Sequence, residues 1–446
     1  MTKAKNSLIM SAFIWGSGQF FIGKQRIKGL VFFLVQMIIL SIEVTTGYWF
    51  EYLLGMIDQF KLRLHGGFFS KGIWGLITLG EVPGARGGDH SMMLLINGII
   101  VALLVGVILL IYIWNTRDAY LTGKSIDEAG TYETSKQYFV RLYDQKFEYI
   151  ILTPIILIIV FITIMPMIFA FLTAFTSYSK GNLPPAKLVE WVGFDNFFKL
   201  FTVPIWSSTF FGVLKWTVTW TVLATFSTYF LGMFQALILN NKYVKGKAIF
   251  RTILILPWVV PSLISLLVFR NVFNGQFGPL NQFLLESGLI AERIPFLTDP
   301  FIAKVTVVLV NLWLGFPSFM LMISGVLSNS DPSVYEAAKI DGANSFEEFR
   351  FITLPMILRV TMPLLVMSLA GNFNNFGAVF FLTSGGPANP NYQFAGHTDI
   401  LISWIYKLTM ENQMYNMAAV MSILIFIFIG SVSYWNFKRT NAFKEA

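Results

Sequence analysis

The chain has 446 residues, of which 55% are hydrophobic and 13% charged; an ordinary soluble domain carries about 25% charged residues. A mean hydropathy of +0.65, with 45 Phe and 12 Trp, excludes a water-facing surface, and with it a soluble enzyme, a disordered chain or a nucleic-acid-binding domain. The net charge of +8 therefore reads as Lys and Arg flanking a membrane, and the absence of cysteine excludes disulfides, thiolate metal sites and cysteine nucleophiles.

A spanning helix needs about 20 apolar residues at about 1.5 Å each. At the N-terminus, residues 1–12 lack the apolar run and small-residue cleavage site of a secretory leader. Leu8–Ile22 is apolar but short and contains Gly16, Ser17, Gly18 and Gln19, so an interfacial or re-entrant helix is expected there. Eight stretches are long enough to span: 28–46, 92–114, 148–176, 211–239, 251–272, 301–327, 359–383 and 413–435. With the N-terminus inside, the alternating inside segments (1–28, 115–147, 240–251, 328–359 and 436–446) hold 20 of the 32 Lys and Arg. That bias marks cytoplasmic loops, so both termini are expected in the cytoplasm. The expected fold class is all-α, a polytopic membrane protein of about eight transmembrane helices. Residues 1–147 read as an accessory segment and 148–446 as a six-helix core.

The loops offer little chemistry. Residues 47–91 contain Gly66-Gly67 and Gly87-Gly88 and are expected as a small outer cap, while Asn115–Phe147 reads as a solvated connector. Gly123-Lys124-Ser125 looks like the end of a phosphate-binding loop, but Asp118 stands where the required first glycine belongs. His65, His90 and His397 are too scattered for a metal site. No catalytic constellation appears, so a non-enzyme without cofactor is expected. Glu43, Lys215 and Arg270 lie near outer span ends, where snorkelling to the interface is expected. A chain of intramembrane Asp, Glu or His is absent, which argues against proton coupling. Sodium coupling through carbonyls and hydroxyls stays open.

The sharpest local signal is Ser328–Arg359, SNSDPSVYEAAKIDGANSFEEFRFITLPMILR. Asp331-Pro332 is a helix start, Gly342 a stop, and Ser345 with Glu348 a capping box for a second short helix. Pro355 is expected to end that helix or kink it into the next span. Tyr335, Ala338 and Lys339 share one face of the first helix with Ala337 beside them, and small residues there favour docking against another surface. The alternative is an amphipathic loop resting on the membrane.

The run Glu336-Ala337-Ala338, then after two residues Asp341-Gly342-Ala343, then after eight Ile352-Thr353-Leu354-Pro355, resembles the EAA loop of ABC-importer permeases. The resemblance implies that this loop is a coupling helix seated in a cleft of an ATPase subunit. Glu336, Ala337, Ala338, Asp341 and Gly342 are then its ATPase-coupling residues, and ATP is hydrolysed on another chain.

The stretches LPWVVPSLIS (256–265), NLWLGFP (311–317), NFNNF (372–376), LTSGGP (382–387) and AGHTDILISWIY (395–406) further resemble the larger, MalF-like permease subunit of maltose/maltodextrin importers. A neutral sugar needs amides and hydroxyls for its OH groups and aromatic faces for its C–H surfaces, near mid-membrane where helices break. Pro257 and Pro261 bracket Trp258 and precede Ser262; Asn311, Gly315 and Pro317 provide an amide and a broken sixth span; Asn372, Asn374 and Asn375 cluster in the seventh. The bland reading of these amides is interhelical glue, at about 0.6 kcal/mol per hydrogen bond. The substrate-binding residues implied by the resemblance are Trp258, Ser262, Asn311, Gly315, Asn372 and Asn375. By that resemblance Trp258 stands where the family's best-known member has tyrosine, Ser318 replaces an aromatic and Gly371 a phenylalanine, and the loss of two aromatics leaves sugar length open. The implied partners are a second permease subunit (MalG-like), two ATPase subunits, an extracellular lipid-anchored solute-binding protein, maltodextrin and membrane lipid, with no nucleic acid. The large extracellular insertion of the family's Gram-negative form is absent, with only about 34 residues between the third and fourth spans, so the resemblance implies the plasma membrane of a Gram-positive cell. The rivals are a permease for another oligosaccharide of galacto- or raffinose type, and a gradient-driven secondary sugar carrier.

Overall fold

Backbone N–H and C=O groups in hydrocarbon must be paired within the chain, and a helix does this segment by segment. The computed structural model describes residues 2–56, 66–84, 88–130, 133–241 and 243–439, and helices occupy all eight predicted stretches. His65 and Gly87 lie outside the described residues. Among the described residues, six helices are long and apolar enough to cross a membrane, a bent pair makes a seventh, and Tyr415–Ser431 is a shorter apolar helix. The chain divides into two compact units, Met1–Gly193 and Phe194–Ala446.

The first unit contains α1 (Lys3–Phe13), α2 (Arg26–Thr46), α3 (Trp49–Leu53), α4 (Phe68–Thr78), α5 (Ser91–Ala129), α6 (Ser135–Ile158) and α7 (Met165–Thr173). A wide π turn, Ile159–Ile164, joins α6 to α7. It falls where Pro166 has no N–H to give the preceding turn. The short apolar N-terminal stretch is α1 followed by a π turn, Gly18–Ile22, with a break between. Ser7, Ser11, Gly18 and Gln19 are buried while Leu8, Ile9, Met10 and Phe13 are exposed. Polar and small groups therefore face the protein here. They meet a polar network on α5: Asn115 Oδ1 accepts from the Gly16 N–H at 3.0 Å, and Gln19 Nε2 donates to Asp118 Oδ2 at 3.1 Å. Asp118 also pairs with Lys28 at 2.8 Å, and Lys28 lies 3.7 Å over the Tyr138 ring.

Two expectations are corrected in this unit. The connector from Asn115 is not a solvated loop at its start, because α5 continues to Ala129 and binds the N-terminal segment. Glu43 does not snorkel. Its carboxylate accepts from the Phe69 and Ser70 N–H groups at 2.8 and 3.3 Å and from Ser70 Oγ at 2.6 Å. It thus caps the N-terminus of α4, where a negative charge is favoured. The Gly123-Lys124-Ser125 triplet lies inside α5.

The second unit contains α8 (Asp195–Thr202), α9 (Pro204–Asn240), α10 (Lys247–Val259), α11 (Ser262–Val272), α12 (Pro279–Glu286), α13 (Pro300–Ser328), α14 (Pro332–Ile340), α15 (Ser345–Glu348), α16 (Leu354–Phe373), α17 (Phe376–Thr383), α18 (Leu401–Tyr406) and α19 (Tyr415–Arg439). Its core packs α9 against α13 and α16 through Tyr229, Met233, Phe316, Met320, Ile323, Ile357 and Leu365. Gly232 and Gly315 let α9 and α13 approach closely: a Cβ at Gly232 would lie 2.7 Å from Phe319 Cβ, and one at Gly315 2.8 Å from Thr228 Cγ2. Small residues at helix contacts have this role in membranes, where burial alone gives no drive to associate.

The predicted span 251–272 is bent by 89° between α10 and α11. Pro261 is the N-cap of α11 and cannot donate to the preceding ladder. The break expected near Gly315 and Pro317 is absent, since α13 runs unbroken from Pro300 to Ser328. The seventh stretch does break, at Asn374 and Asn375, between α16 and α17.

The segment 384–401 is laced to α9. Trp216 Nε1 donates to the Thr398 carbonyl at 3.0 Å, the Gln393 N–H to Thr209 Oγ1 at 2.8 Å, and the Leu401 N–H to Thr217 Oγ1 at 3.0 Å. Near its C-terminal end, buried Asp399 takes Lys407 Nζ at 2.6 Å, the Gly396 N–H at 2.7 Å and Ser403 Oγ at 2.8 Å. Gly385 has its Cα against the Asp399 carboxylate, where a Cβ has no room.

Candidate functional site: an amide group and a coupling loop

Asn311 on α13, Asn372 on α16 and Asn375 at the start of α17 converge. The Asn375 Nδ2 group donates to both Asn311 Oδ1 and Asn372 Oδ1, at 3.3 Å each. Asn375 Oδ1 accepts from the Ala378 N–H at 3.2 Å, capping α17. Asn372 and Asn375 therefore meet across a helix break. Asn372 Nδ2 donates to Thr225 Oγ1 on α9 at 2.9 Å, and its carbonyl accepts from Trp220 Nε1 at 2.9 Å. Asn311 is 8% exposed, while Asn372 and Asn375 are half-buried. Asn311 Nδ2 has no partner among the described residues. The group is uncharged, which suits a ligand rich in hydroxyls and without formal charge.

The other residues expected at the site fall differently. Gly315 lies one turn beyond Asn311 and packs toward Thr228. Trp258 is 60% exposed at the end of α10, and Ser262 is exposed at the start of α11 across the bend. Neither joins the asparagine group, although α11 packs against α13 and α17. Ser318 is exposed and donates to the Gly315 carbonyl at 2.8 Å; a Cβ at Gly371 would meet nothing within 4 Å. Sequence reasoning missed Thr225 and Trp220. Their signal was present: Thr217, Thr221, Thr225 and Thr228 recur at helical spacing along α9, and all are buried.

The second candidate surface is 328–359. Asp331 caps α14 by accepting from the Ser333 N–H at 2.9 Å, and Pro332 is the first helical residue. Hydrogen bonds from the Ser333 backbone and then its side chain hold the Asp331 carboxyl below the usual carboxylate range. At the other end, Gly342 has φ +86°, the Gly342 N–H donates to the Lys339 carbonyl at 3.1 Å, and the Ala343 N–H to that of Ala338 at 2.9 Å. This is the paired hydrogen bonding of a Schellman stop, in which a left-handed residue favours glycine. The capping box sits one residue earlier than expected. Asn344 accepts from the Phe346 and Glu347 N–H groups at 3.0 Å each, and Glu347 Oε2 accepts from the Asn344 N–H at 2.8 Å. Asn is as good a cap as Ser, so either register was available. Pro355 does not end the helix: a π turn, Phe349–Thr353, leads straight into α16, with Pro355 in its first turn.

The exposed face of α14 also differs from expectation. Tyr335 and Ala338 are half-buried, and Tyr335 Oη lies 3.1 Å from Thr353 Oγ1. The outward residues are Val334, Glu336, Ala337, Lys339 and Ile340, with Ile340 87% exposed. Glu336 and Ala337 are thus presented outward, whereas Ala338 faces the protein.

A family described as "Binding-protein-dependent transport system inner membrane component" matches residues 228–441, which include both the 328–359 loop and the amide group. A relative, the galactooligosaccharides transport system permease protein GanP of Bacillus subtilis, is 39% identical over 438 residues, covering 98% of each chain. The chain belongs to this family of transport permeases.

The maltodextrin transport system permease protein MdxF of Bacillus subtilis is 36% identical to this permease, over 99% of its length and 97% of MdxF. The maltose/maltodextrin permease MalF of Escherichia coli is 36% identical over 60% of this permease and 52% of MalF. A bacterial ABC transporter involved in import of the acidic polysaccharide alginate shares the fold, with a TM-score of 0.52 and 24% identity over 66% of this permease and 94% of that chain. The permease is therefore an all-α, multi-pass membrane subunit of an ABC transporter, not an enzyme. The family resemblance expected from the EAA spacing holds.

Proposed function

We propose that the permease imports neutral oligosaccharides of maltodextrin type by alternating access, driven by ATP hydrolysis on partner chains. The observation that carries this reading is the uncharged Asn311–Asn372–Asn375 group, held by Thr225 and Trp220 where the α16–α17 helix breaks. Sugar hydroxyls would take the free Asn311 donor and compete for the long amide–amide bonds, whose 3.3 Å separations leave them easy to exchange. Trp258 would offer an aromatic face and Ser262 a hydroxyl, both exposed beside the bend, with Gly315 shaping the α9–α13 contact. Open space at Gly371 and Ser318 fits a longer or differently linked sugar.

Residues 148–446 would form the six-helix core and 1–147 an accessory segment, with both termini in the cytoplasm of a Gram-positive cell. A second permease subunit would complete the pathway. Two ATPase subunits would dock on the Glu336–Gly342 segment, and a lipid-anchored binding protein would deliver sugar outside. A second reading, galactooligosaccharide import, is favoured by the 39% identity to GanP over nearly the whole of both chains. Uptake of radiolabelled maltotriose, by cells that depend on this permease, separates the two readings. Maltotriose uptake resistant to excess galactooligosaccharide supports the first. Uptake of galactooligosaccharide alone would move the substrate and leave the site in place.

A further inference from the structure

The coupling loop and the amide group lie at opposite ends of one helix. Thr353 immediately precedes the first residue of α16, and Asn372 is its penultimate residue. The helix has 20 residues, or about 30 Å at about 1.5 Å each. At its inner end the Tyr335 and Thr353 hydroxyls lie 3.1 Å apart. Thr353 is buried and also donates to the Glu348 carbonyl at 3.4 Å. Among the described residues, no other side-chain hydrogen bond links α14 to 345–373. The bond closes on the π turn, where Pro355 has no N–H for the preceding turn and the backbone ladder is widest. Further along, Thr361 Oγ1 meets buried Tyr229 Oη at 2.8 Å, and Asn372 meets Thr225. Both tie α16 to α9.

We propose that the Tyr335–Thr353 hydroxyl pair is the joint through which a displacement of the coupling helix reaches α16 and, at its far end, the asparagine group. Both are positioning residues. Neither touches sugar or nucleotide. The inference rests on reading α14 as the ATPase-coupling helix. A helix joined to α16 only through the chain around Gly342 would swing without moving α16; the hydroxyl bridge makes the two move together.

The chain contains no cysteine, so a single introduced thiol reports local exposure. Gly371→Cys is suited to this, because the position is exposed with nothing within 4 Å of its Cβ. Maleimide labelling of this chain would be followed in the assembled complex, without nucleotide and with ATP and vanadate. The expected result is a nucleotide-dependent change in labelling rate. Tyr335→Phe, Thr353→Val and the double variant should each shrink it about fivefold, or roughly 1 kcal/mol. The double should be no worse than either single, because one shared bond is lost. The complex should still assemble and hydrolyse ATP, and Thr353→Ser should restore the change. A full change in both single variants, or losses that multiply in the double, would overturn the joint. So would an ATPase-competent complex whose Gly371→Cys label ignores nucleotide. Failure of any ATPase to co-purify would instead overturn the coupling reading itself.

Discussion

One amino group at Asn375 serves two acceptors, on Asn311 and Asn372, while its oxygen caps α17. Asn375→Ala removes all three contacts. Losing the cap costs about 1 kcal/mol, and sugar uptake should weaken about tenfold, the equivalent of about 1.4 kcal/mol of lost hydrogen bonding. Assembly should be near normal. Asn375→Asp keeps the cap and removes the donor, so it should weaken uptake with helix α17 intact; failed assembly in both variants would make the amides interhelical glue. Asp399 is a residue of a different kind. Asp399→Ala would leave Lys407, 13% exposed, without its carboxylate. Removing one member of a buried ion pair costs about 3–5 kcal/mol, so thermal unfolding of the detergent-solubilised protein should shift strongly downward. Asp399→Ala/Lys407→Met should recover part of that loss.

Helices decide what these residues meet. The approach of α9 to α13 depends on Gly315, and Gly315→Ala should destabilise by about 1–3 kcal/mol through overpacking against Thr228. Thr228→Ser removes the Cγ2 that lies nearest, so the double variant should regain stability. At the coupling loop, nothing lies within 4 Å of a Cβ at Gly342, yet its φ of +86° disfavours any L side chain. Gly342→Asp should therefore uncouple sugar-stimulated ATPase while protein level stays close to wild type. Element positions were legible in the sequence wherever a local signal fixed them. Apolar length marked every spanning stretch, Asp331-Pro332 the start of α14, and Gly342 its end. Positions set by competition or by tertiary contact were not. Asn344 displaced Ser345 as the cap, Pro317 was absorbed into an unbroken α13, and Glu43 found the N-terminus of α4. At the site, the three asparagines were readable as polar residues in apolar sequence. Thr225 and Trp220 were not singled out, because a threonine stripe in a helix bonds its own backbone whether or not it meets a neighbour.

For the whole molecule, the claim is that chemistry and passage are divided between chains. The permease offers an uncharged amide group and an outward-facing Glu336–Ala337 surface joined by one helix, and its family works with binding proteins. In the proposed reading, the energy of transport enters through α14. The most direct measurement is ATPase activity of the purified complex in proteoliposomes, with and without sugar-loaded binding protein. Co-purifying ATPase, stimulated when maltotriose-loaded binding protein is supplied and silent with empty binding protein, is the expected result. A preparation with no co-purifying ATPase, whose sugar uptake is abolished by an ionophore, would contradict it and identify a gradient-driven carrier.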